Sequence, residues 1–343
     1  MDFEEKFSPK KRQIKKERKL KSLKDRSKYK KTDQKKGEAF VAPNLPKGRV
    51  ISVLSEGIFV EFEGAGFLCE LKGALKKGRS RQKNLVCVGD YVFFDPVKKM
   101  IESISPRTHI LSRADHLRQR KEQLIATNVD QVLICVSVAF PHIKPNLIDR
   151  YIVACLRQNM RPVLVVNKMD LPHPPYLEEL LEVYEELDIP VCRLSTMNDY
   201  GIEDLKELMS GYTNVLTGQS GVGKTSILNK IVQGNYRVKE VMTKTQKGSH
   251  TTTTSLLIPL KSGGYCIDTP GIKSFGLFNL DKKEIEPLFK EIHKAGKKCA
   301  FSPCSHTHEP ECNVKKNVEK GKIALTRYQS YLTLIEGVKE DYE

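Results

Sequence analysis

The eight residues Gly218-Gln219-Ser220-Gly221-Val222-Gly223-Lys224-Thr225 constrain this chain more than any other stretch, because they complete the pattern G-x-x-x-x-G-K-[ST]. An apolar segment, 214–217, runs into them as a strand, and a helical pattern, 224–232, leaves them. That context is a phosphate cradle: the glycines let backbone N–H groups close around phosphate oxygens, and the helix N-terminus adds its dipole. Lys224 is placed to reach the β/γ-phosphates and Thr225 to ligate Mg²⁺, with Ser226 following in the same first helical turn. Taken alone, the cradle specifies a nucleoside triphosphate and leaves the base open.

The base is addressed by Asn167-Lys168-Met169-Asp170, at the end of the apolar strand 162–166. A carboxylate there can accept two hydrogen bonds, from N1–H and the 2-amino group of guanine. The Asn167 amide addresses O6 or N7, and the Lys168 stem lies along the base. Adenine offers no such donor pair, and sites built to pair specific polar groups reject analogues lacking them by roughly 10⁴–10⁵. Ser195-Thr196, after the next strand, is a candidate partner loop for the base. Asp268-Thr269-Pro270-Gly271 follows the strand 265–267, where Asp268 would serve the Mg²⁺ site and the Gly271 N–H would face the γ-phosphate. Between cradle and Asp268 lies His250-Thr251-Thr252-Thr253-Thr254, with Thr252 the chosen candidate for the switch threonine on the metal. The order is unusual: the base motif precedes the cradle, so the nucleotide-binding region reads as circularly permuted. A permutation is tolerable when the same sheet is rebuilt with a new surface connection.

The rest of the chain sorts around this core. Short strands at 49–54, 57–63, 66–71 and 90–95, split by glycines, predict a small β-barrel over 46–115, of the five-stranded oligonucleotide-binding (OB-fold) type. Its basic loop Lys76, Lys77, Arg79, Arg81, Lys83 would track phosphates. Strands at 132–138, 162–166, 191–194, 214–217, 256–260 and 265–267 alternate with helices at 147–158, 176–187, 202–209 and 224–232, predicting a doubly wound, mostly parallel P-loop α/β region over 116–280. Residues 281–343 read as a helical region with a Cys/His knot and a final helix over about 314–338. In the knot, Cys299, Cys304 and Cys312 gather with an imidazole, His306 or its competitor His308, into a closed structural Zn²⁺ set with no open position for chemistry. The net charge of +16 is largely a tail property: the first 36 residues hold 16 basic and 6 acidic groups, leaving +6 on the remainder. Residues 1–45 therefore read as a disordered basic arm attractive to polyanions. No apolar leader opens the sequence, and the longest apolar run, 132–140, is about half the roughly 20 residues a membrane span needs. Scattered cysteines and the missing leader point to a cytoplasmic protein without membrane attachment.

The permuted motifs, the preceding barrel and the following Cys/His region together make residues 46–340 resemble the ribosome small-subunit-dependent GTPase A family (RsgA, also called YjeQ). The segments 125–130, 247–253 and 327–331 are similar to family stretches, whereas the Lys-rich arm is not explained by the resemblance. The resemblance implies a GTPase stimulated by the small ribosomal subunit, acting late in its maturation, binding its rRNA and using hydrolysis to leave; the chain is read as a monomer with GTP or GDP, Mg²⁺ and one Zn²⁺. It also points to His306 as the nitrogen ligand. Many GTPases place a water-orienting Gln after D-x-x-G. Here that position is Ile272, and His250 is the candidate to position or deprotonate the water. The competing reading is a nucleotide-gated RNA-binding scaffold with incidental turnover; a kinase using ATP is disfavoured by Asn167 and Asp170.

Overall fold

The computed structural model describes residues 44–76, 85–114, 122–232, 255–268 and 281–337. The Lys-rich arm, most of the basic barrel loop, His250, Thr252, Gly271 and Ile272 lie outside the described residues.

The first region contains β1 (Lys47–Val53), β2 (Ile58–Phe62), β3 (Ala65–Leu71), a one-turn helix α1 (Gly73–Lys76), β4 (Tyr91–Asp95) and β5 (Met100–Ile104). Alternation puts Ile58 and Val60 of β2, Val92 and Phe94 of β4 and Ile101 of β5 inside, around Val50 and Cys69. The strands pair in the order β1-β2-β3-β5-β4, and a β4–β1 ladder closes the ring. β3 and β5 run parallel while the other pairs are antiparallel. This is the expected five-stranded barrel. Its fifth strand, β5, is absent from the strand reading of the sequence, because Met100, Ile101 and Ile104 leave no clean alternation of apolar and polar residues.

A hairpin, β6 (Ile110–Ala114) with β7 (Glu122–Thr127), leads into the nucleotide-binding region and is also absent from the sequence reading. There follow β8 (Gln131–Ser137), α2 (Pro145–Arg157), β9 (Arg161–Asn167), α3 (Tyr176–Glu185), β10 (Val191–Arg193), α4 (Ile202–Met209), β11 (Thr213–Gly218), α5 (Lys224–Val232), β12 (Leu256–Pro259) and β13 (Tyr265–Asp268). β8 and β9 carry near-continuous apolar runs and β11, though only Val215 and Leu216 are apolar, is buried along its whole length, as befits strands covered on both faces. The sheet order is β10-β9-β8-β11-β13-β12, parallel throughout except for the edge strand β12. From β8 the chain winds outward to β9 and β10, then returns to place β11 on the other side of β8. The crevice between the carboxyl ends of β8 and β11 is thus the topological switch point, where open α/β sheets bind ligands.

The barrel and this sheet are joined by backbone and by buried polar groups. Ser52 of β1 pairs with Leu256 of β12, so the two sheets are hydrogen-bonded into one. Asp90, fully buried, accepts from both Arg107 Nε and Nη2 at 2.7 Å, from the Thr127 hydroxyl at 2.7 Å and from the Cys87 N–H at 2.8 Å. Asn128 adds its side-chain N–H to Gly89 O at 2.9 Å, and Asp130 accepts from the Thr213 N–H at 2.7 Å. The family-like segment 125–130 is therefore the polar joint between barrel, hairpin and sheet.

The C-terminal region holds α6 (Lys282–Ile285), a 3₁₀ turn (Glu286–Leu288), α7 (Lys290–Gly296), α8 (Asn313–Glu319) and α9 (Leu325–Gly337). The single helix expected over 314–338 is two helices, because the chain turns at Gly321 with φ +68°, a left-handed conformation that costs glycine little. Ile285, Phe289, Ile292, Val314 and Tyr331 form a small core, which Val153 of α2 joins from the nucleotide-binding region. Beside it, buried Arg327 of α9 reaches Asp149 of α2 at 2.5 Å and Glu291 of α7 at 2.8 Å, with its guanidinium 4.5 Å from the Phe289 ring centre. Ser330 donates to Asn146 on α2 at 2.7 Å. Removing one partner of such a network strands a desolvated charge. Arg327→Met is expected to lower stability by about 3–5 kcal/mol, read as a shifted urea midpoint, with early proteolysis within residues 281–337; a loss below about 1 kcal/mol would show that the ion pair is not what docks α9.

Candidate functional site

The cradle occupies the switch point. β11 ends at Gly218, α5 begins at Lys224, and Ser220, Gly221, Thr225 and Ser226 are exposed along the rim while Val222 is buried beneath. Two glycines are required sterically. At Gly218, with φ +135°, a Cβ would stand 2.1 Å from the Cys135 carbonyl oxygen of the neighbouring strand. At Gly223, with φ +97°, it would stand 2.3 Å from Asn167 Nδ2. Lys224 Nζ donates to the carbonyls of Gly218 at 2.9 Å and Gln219 at 2.6 Å, which holds the ammonium at the mouth of the loop.

The base motif stands beside it because β9 ends at Asn167, one strand removed from β11. Asn167 is buried, and its Nδ2 donates to Val222 O at 2.8 Å, so this amide hydrogen is committed to the cradle rather than turned toward a base. Lys168, at φ +66°, donates to the carbonyls of Ala139 (3.2 Å) and Phe140. Asp170 is exposed and is oriented by the buried Ser195, whose hydroxyl donates to it and accepts from the Met197 N–H at 3.2 Å. The Met169 N–H bonds to Leu194 O, tying the two base loops together. Lys230 of α5 pairs with Asp199 at 2.5 Å, linking the helix behind the cradle to the 195–201 loop. The structure therefore brings together Asn167, Lys168, Met169, Asp170, Ser195, Thr196 and the whole cradle. Asp268 ends β13, the parallel neighbour of β11, the place a metal-site carboxylate on the far side of the cradle needs. Exposed Thr225 and this strand end are the described positions suited to Mg²⁺.

One part of the rim is not visible in the motifs: the loop after β8. Phe140 is 78% exposed beside the cradle, and Ser137 donates to Pro141 O at 2.8 Å. The available signal is positional, since any loop leaving the carboxyl end of β8 must border the switch point.

The knot is a second site. The ligand atoms of Cys299, Cys304, His306 and Cys312 lie within 4.8 Å of one another. Cys299 Sγ is 3.8 Å from Cys312 Sγ, and His306 Nδ1 is 3.6 and 3.4 Å from these two sulfurs. Zn–S near 2.3 Å and Zn–N near 2.0–2.1 Å in a tetrahedron demand edges of about this length, so the four residues could hold Zn²⁺, through Nδ1 of the histidine. His308 is exposed and bonded to the Thr307 hydroxyl at 2.9 Å, outside the cluster. Outer partners brace the loop: Glu286 lies 3.8 Å from His306 Nε2, Tyr328 donates to His306 O at 2.6 Å, and Tyr331 to Ser305 O at 3.1 Å. Burial opposes the Glu309 charge, yet hydrogen bonds from Ser305 and Thr307 hold its carboxyl down at about 2. Cys69, Cys87, Cys135, Cys155, Cys192 and Cys266 are buried, and desolvation pushes the Cys87 and Cys135 thiols up to about 12, as suits core packing.

Gly223→Ala forces a methyl into Asn167 and a left-handed backbone on alanine, so it should weaken GTP and GDP binding together, by about tenfold or more, in a fluorescent-nucleotide titration. Unchanged affinity would mean the base and phosphate loops separate without loss.

Residues 104–278 match the family described as RsgA GTPase. A protein of Chlorobaculum parvum named small ribosomal subunit biogenesis GTPase RsgA is 39% identical over 269 residues, covering 75% of this chain and 86% of that protein. The protein of that name from Thermotoga maritima is 38% identical over 298 residues, covering 84% and 95%. Among solved structures, YjeQ from Thermotoga maritima superposes with a TM-score of 0.68 at 32% identity, covering 86% of this chain and 99% of that one. YloQ, described as a circularly permuted GTPase, gives 0.66 at 27%, covering 89% and 98%. With the permuted order of base loop and cradle on one sheet edge, and a closed barrel before it, these likenesses show that the chain is a GTP-hydrolysing enzyme belonging to the RsgA GTPase family.

Proposed function

We propose that this GTPase acts in late maturation of the small ribosomal subunit, binding its rRNA through the barrel and the Cys/His region and using GTP hydrolysis to leave. The observation that carries the guanine reading is the exposed Asp170 carboxylate, aimed by Ser195 and tied through Asn167 to the cradle. The relatives' shared name supports the subunit as partner. The chain works as a monomer in the cytoplasm; no described helix is long and apolar enough to cross a membrane.

In this reading Asp170 accepts from the guanine edge, and Met169 and Thr196 border it. The backbone N–H groups of 218–223 and the Lys224 ammonium receive the phosphates and counter the charge developing on the transferred group. Thr225, Thr252 and Asp268 would hold Mg²⁺, which would supply charge neutralisation on the phosphates. In the same reading the Gly271 N–H is assigned to the γ-phosphate from its place in the D-x-x-G motif. With Ile272 unable to orient water, His250 accepts the water proton. Cys299, Cys304, His306 and Cys312 would hold one structural Zn²⁺.

GTP hydrolysis by the full chain should rise strongly when purified small subunits are added, and His250→Ala should lose about 10²–10³ of the stimulated rate with GTP affinity unchanged. Tight subunit binding without stimulation would instead favour the scaffold, which the Ile272 position suggests. Full stimulation of His250→Ala would exclude that histidine. For the metal, a chelator should make residues 281–337 protease-sensitive while guanine nucleotide binding persists, since zinc supplies on the order of 10 kcal/mol to isolated fingers; an unchanged digestion pattern after measured zinc loss would count against a structural role.

A further inference from the structure

Arg49 lies on β1 of the barrel, yet its side chain is built into the nucleotide-binding sheet. It is 7% exposed, and its Nη2 donates to the Thr213 hydroxyl at 2.8 Å. Its guanidinium carbon is 4.3 Å from the Tyr265 ring centre and 5.0 Å from that of Tyr91. Registers make this a four-residue unit. Arg49 is the direct cross-strand partner of Tyr91 in the barrel, and Thr213 is the direct partner of Tyr265 in the sheet. Three residues along β1, Ser52 pairs with Leu256, the first residue of β12.

These contacts fall on the strands that end at the phosphate site. Thr213 opens β11, which reaches Gly218 about 17 Å away at roughly 3.3 Å per residue. Tyr265 opens β13, which ends at Asp268. β12 begins one residue after the threonine run of 251–254, with Ser255 between. A guanidinium this buried, between two half-buried tyrosine rings, has little solvent to replace a lost partner, and Arg49 Nε has no hydrogen-bond partner among the described residues. A shift of β1 relative to the sheet must therefore either carry β11 and β13 with it or break the contact outright.

We propose that Arg49 is a positioning residue for stimulated hydrolysis: it transmits displacement of the barrel, on contact with a polyanionic partner, to the strands carrying the cradle and Asp268. This rests on the reading that small subunits stimulate turnover. Arg49 touches neither nucleotide loop, so its effect belongs in the ratio of stimulated to unstimulated rate.

The test measures GTP hydrolysis by the full chain, per mole of total chain, with and without purified small subunits. The variants are Arg49→Met, Thr213→Val, which deletes only the acceptor, and Tyr265→Phe, which keeps the ring face. Unstimulated kcat and the KM for GTP should stay within about twofold in all three. The stimulated kcat should fall about tenfold or more in Arg49→Met, about threefold to tenfold in Thr213→Val, and little in Tyr265→Phe. A merely structural role would lower both rates together as the folded fraction falls. Should Arg49→Met not fold, Thr213→Val decides. A stimulated wild type with equally stimulated Arg49→Met or Thr213→Val overturns the clamp alone. A wild type that subunits do not stimulate overturns the subunit reading and the clamp with it.

Discussion

The parallel ladder β9-β8-β11-β13 is the constraint on which the nucleotide site depends. Parallel strands present their carboxyl ends at one edge, so the loops after Asn167, Gly218 and Asp268 share a rim whatever their order along the chain. Circular permutation costs the site nothing for this reason. It reassigns which loops are connected to which neighbours, and here it leaves β12 and β13 beside the barrel while β9 and β10, which carry the base loops, lie at the opposite end of the sheet.

Much of the site is legible in the sequence because its chemistry is local. Gly218 and Gly223 stand in the motif for backbone reasons the structure reproduces, and Ser195 follows a short strand that delivers it to Asp170. The use of Asn167 is not legible: its partner Val222 lies 55 residues away. The same holds for β5, the hairpin β6–β7 and the β1–β12 pairing, each supported by strand partners rather than by a strong apolar pattern. The last two helices read as one because nothing in apolar periodicity shows that Gly321 turns the chain. His306 could be told from His308 only by resemblance until the loop geometry placed its Nδ1 against two sulfurs.

The three folded regions meet through buried polar groups as well as through apolar contacts. Asp90 with Arg107 and Thr127, Arg49 between its tyrosines, and Arg327 with Asp149 and Glu291 each desolvate charge at a junction. Such groups penalise any arrangement that leaves them unpaired, so they fix the relative placement of elements whose greasy surfaces would tolerate slippage. The segment 327–331 shows the economy of this: on one helix, Arg327 and Ser330 hold α2 while Tyr328 and Tyr331 hold the backbone of the metal loop.

The permuted order has a consequence for synthesis. β8, β9, β10 and β11 pair among themselves without any strand from later in the chain, and they carry Asn167, Asp170, Ser195 and the cradle. As a chain emerges N-terminal end first, the half of the site proposed to hold guanine and phosphate can assemble while β12, β13 and Asp268 are still being made. That order of emergence allows nucleotide capture to precede completion of the metal-site strand, an order that a GTPase with its cradle at the front of the fold does not have.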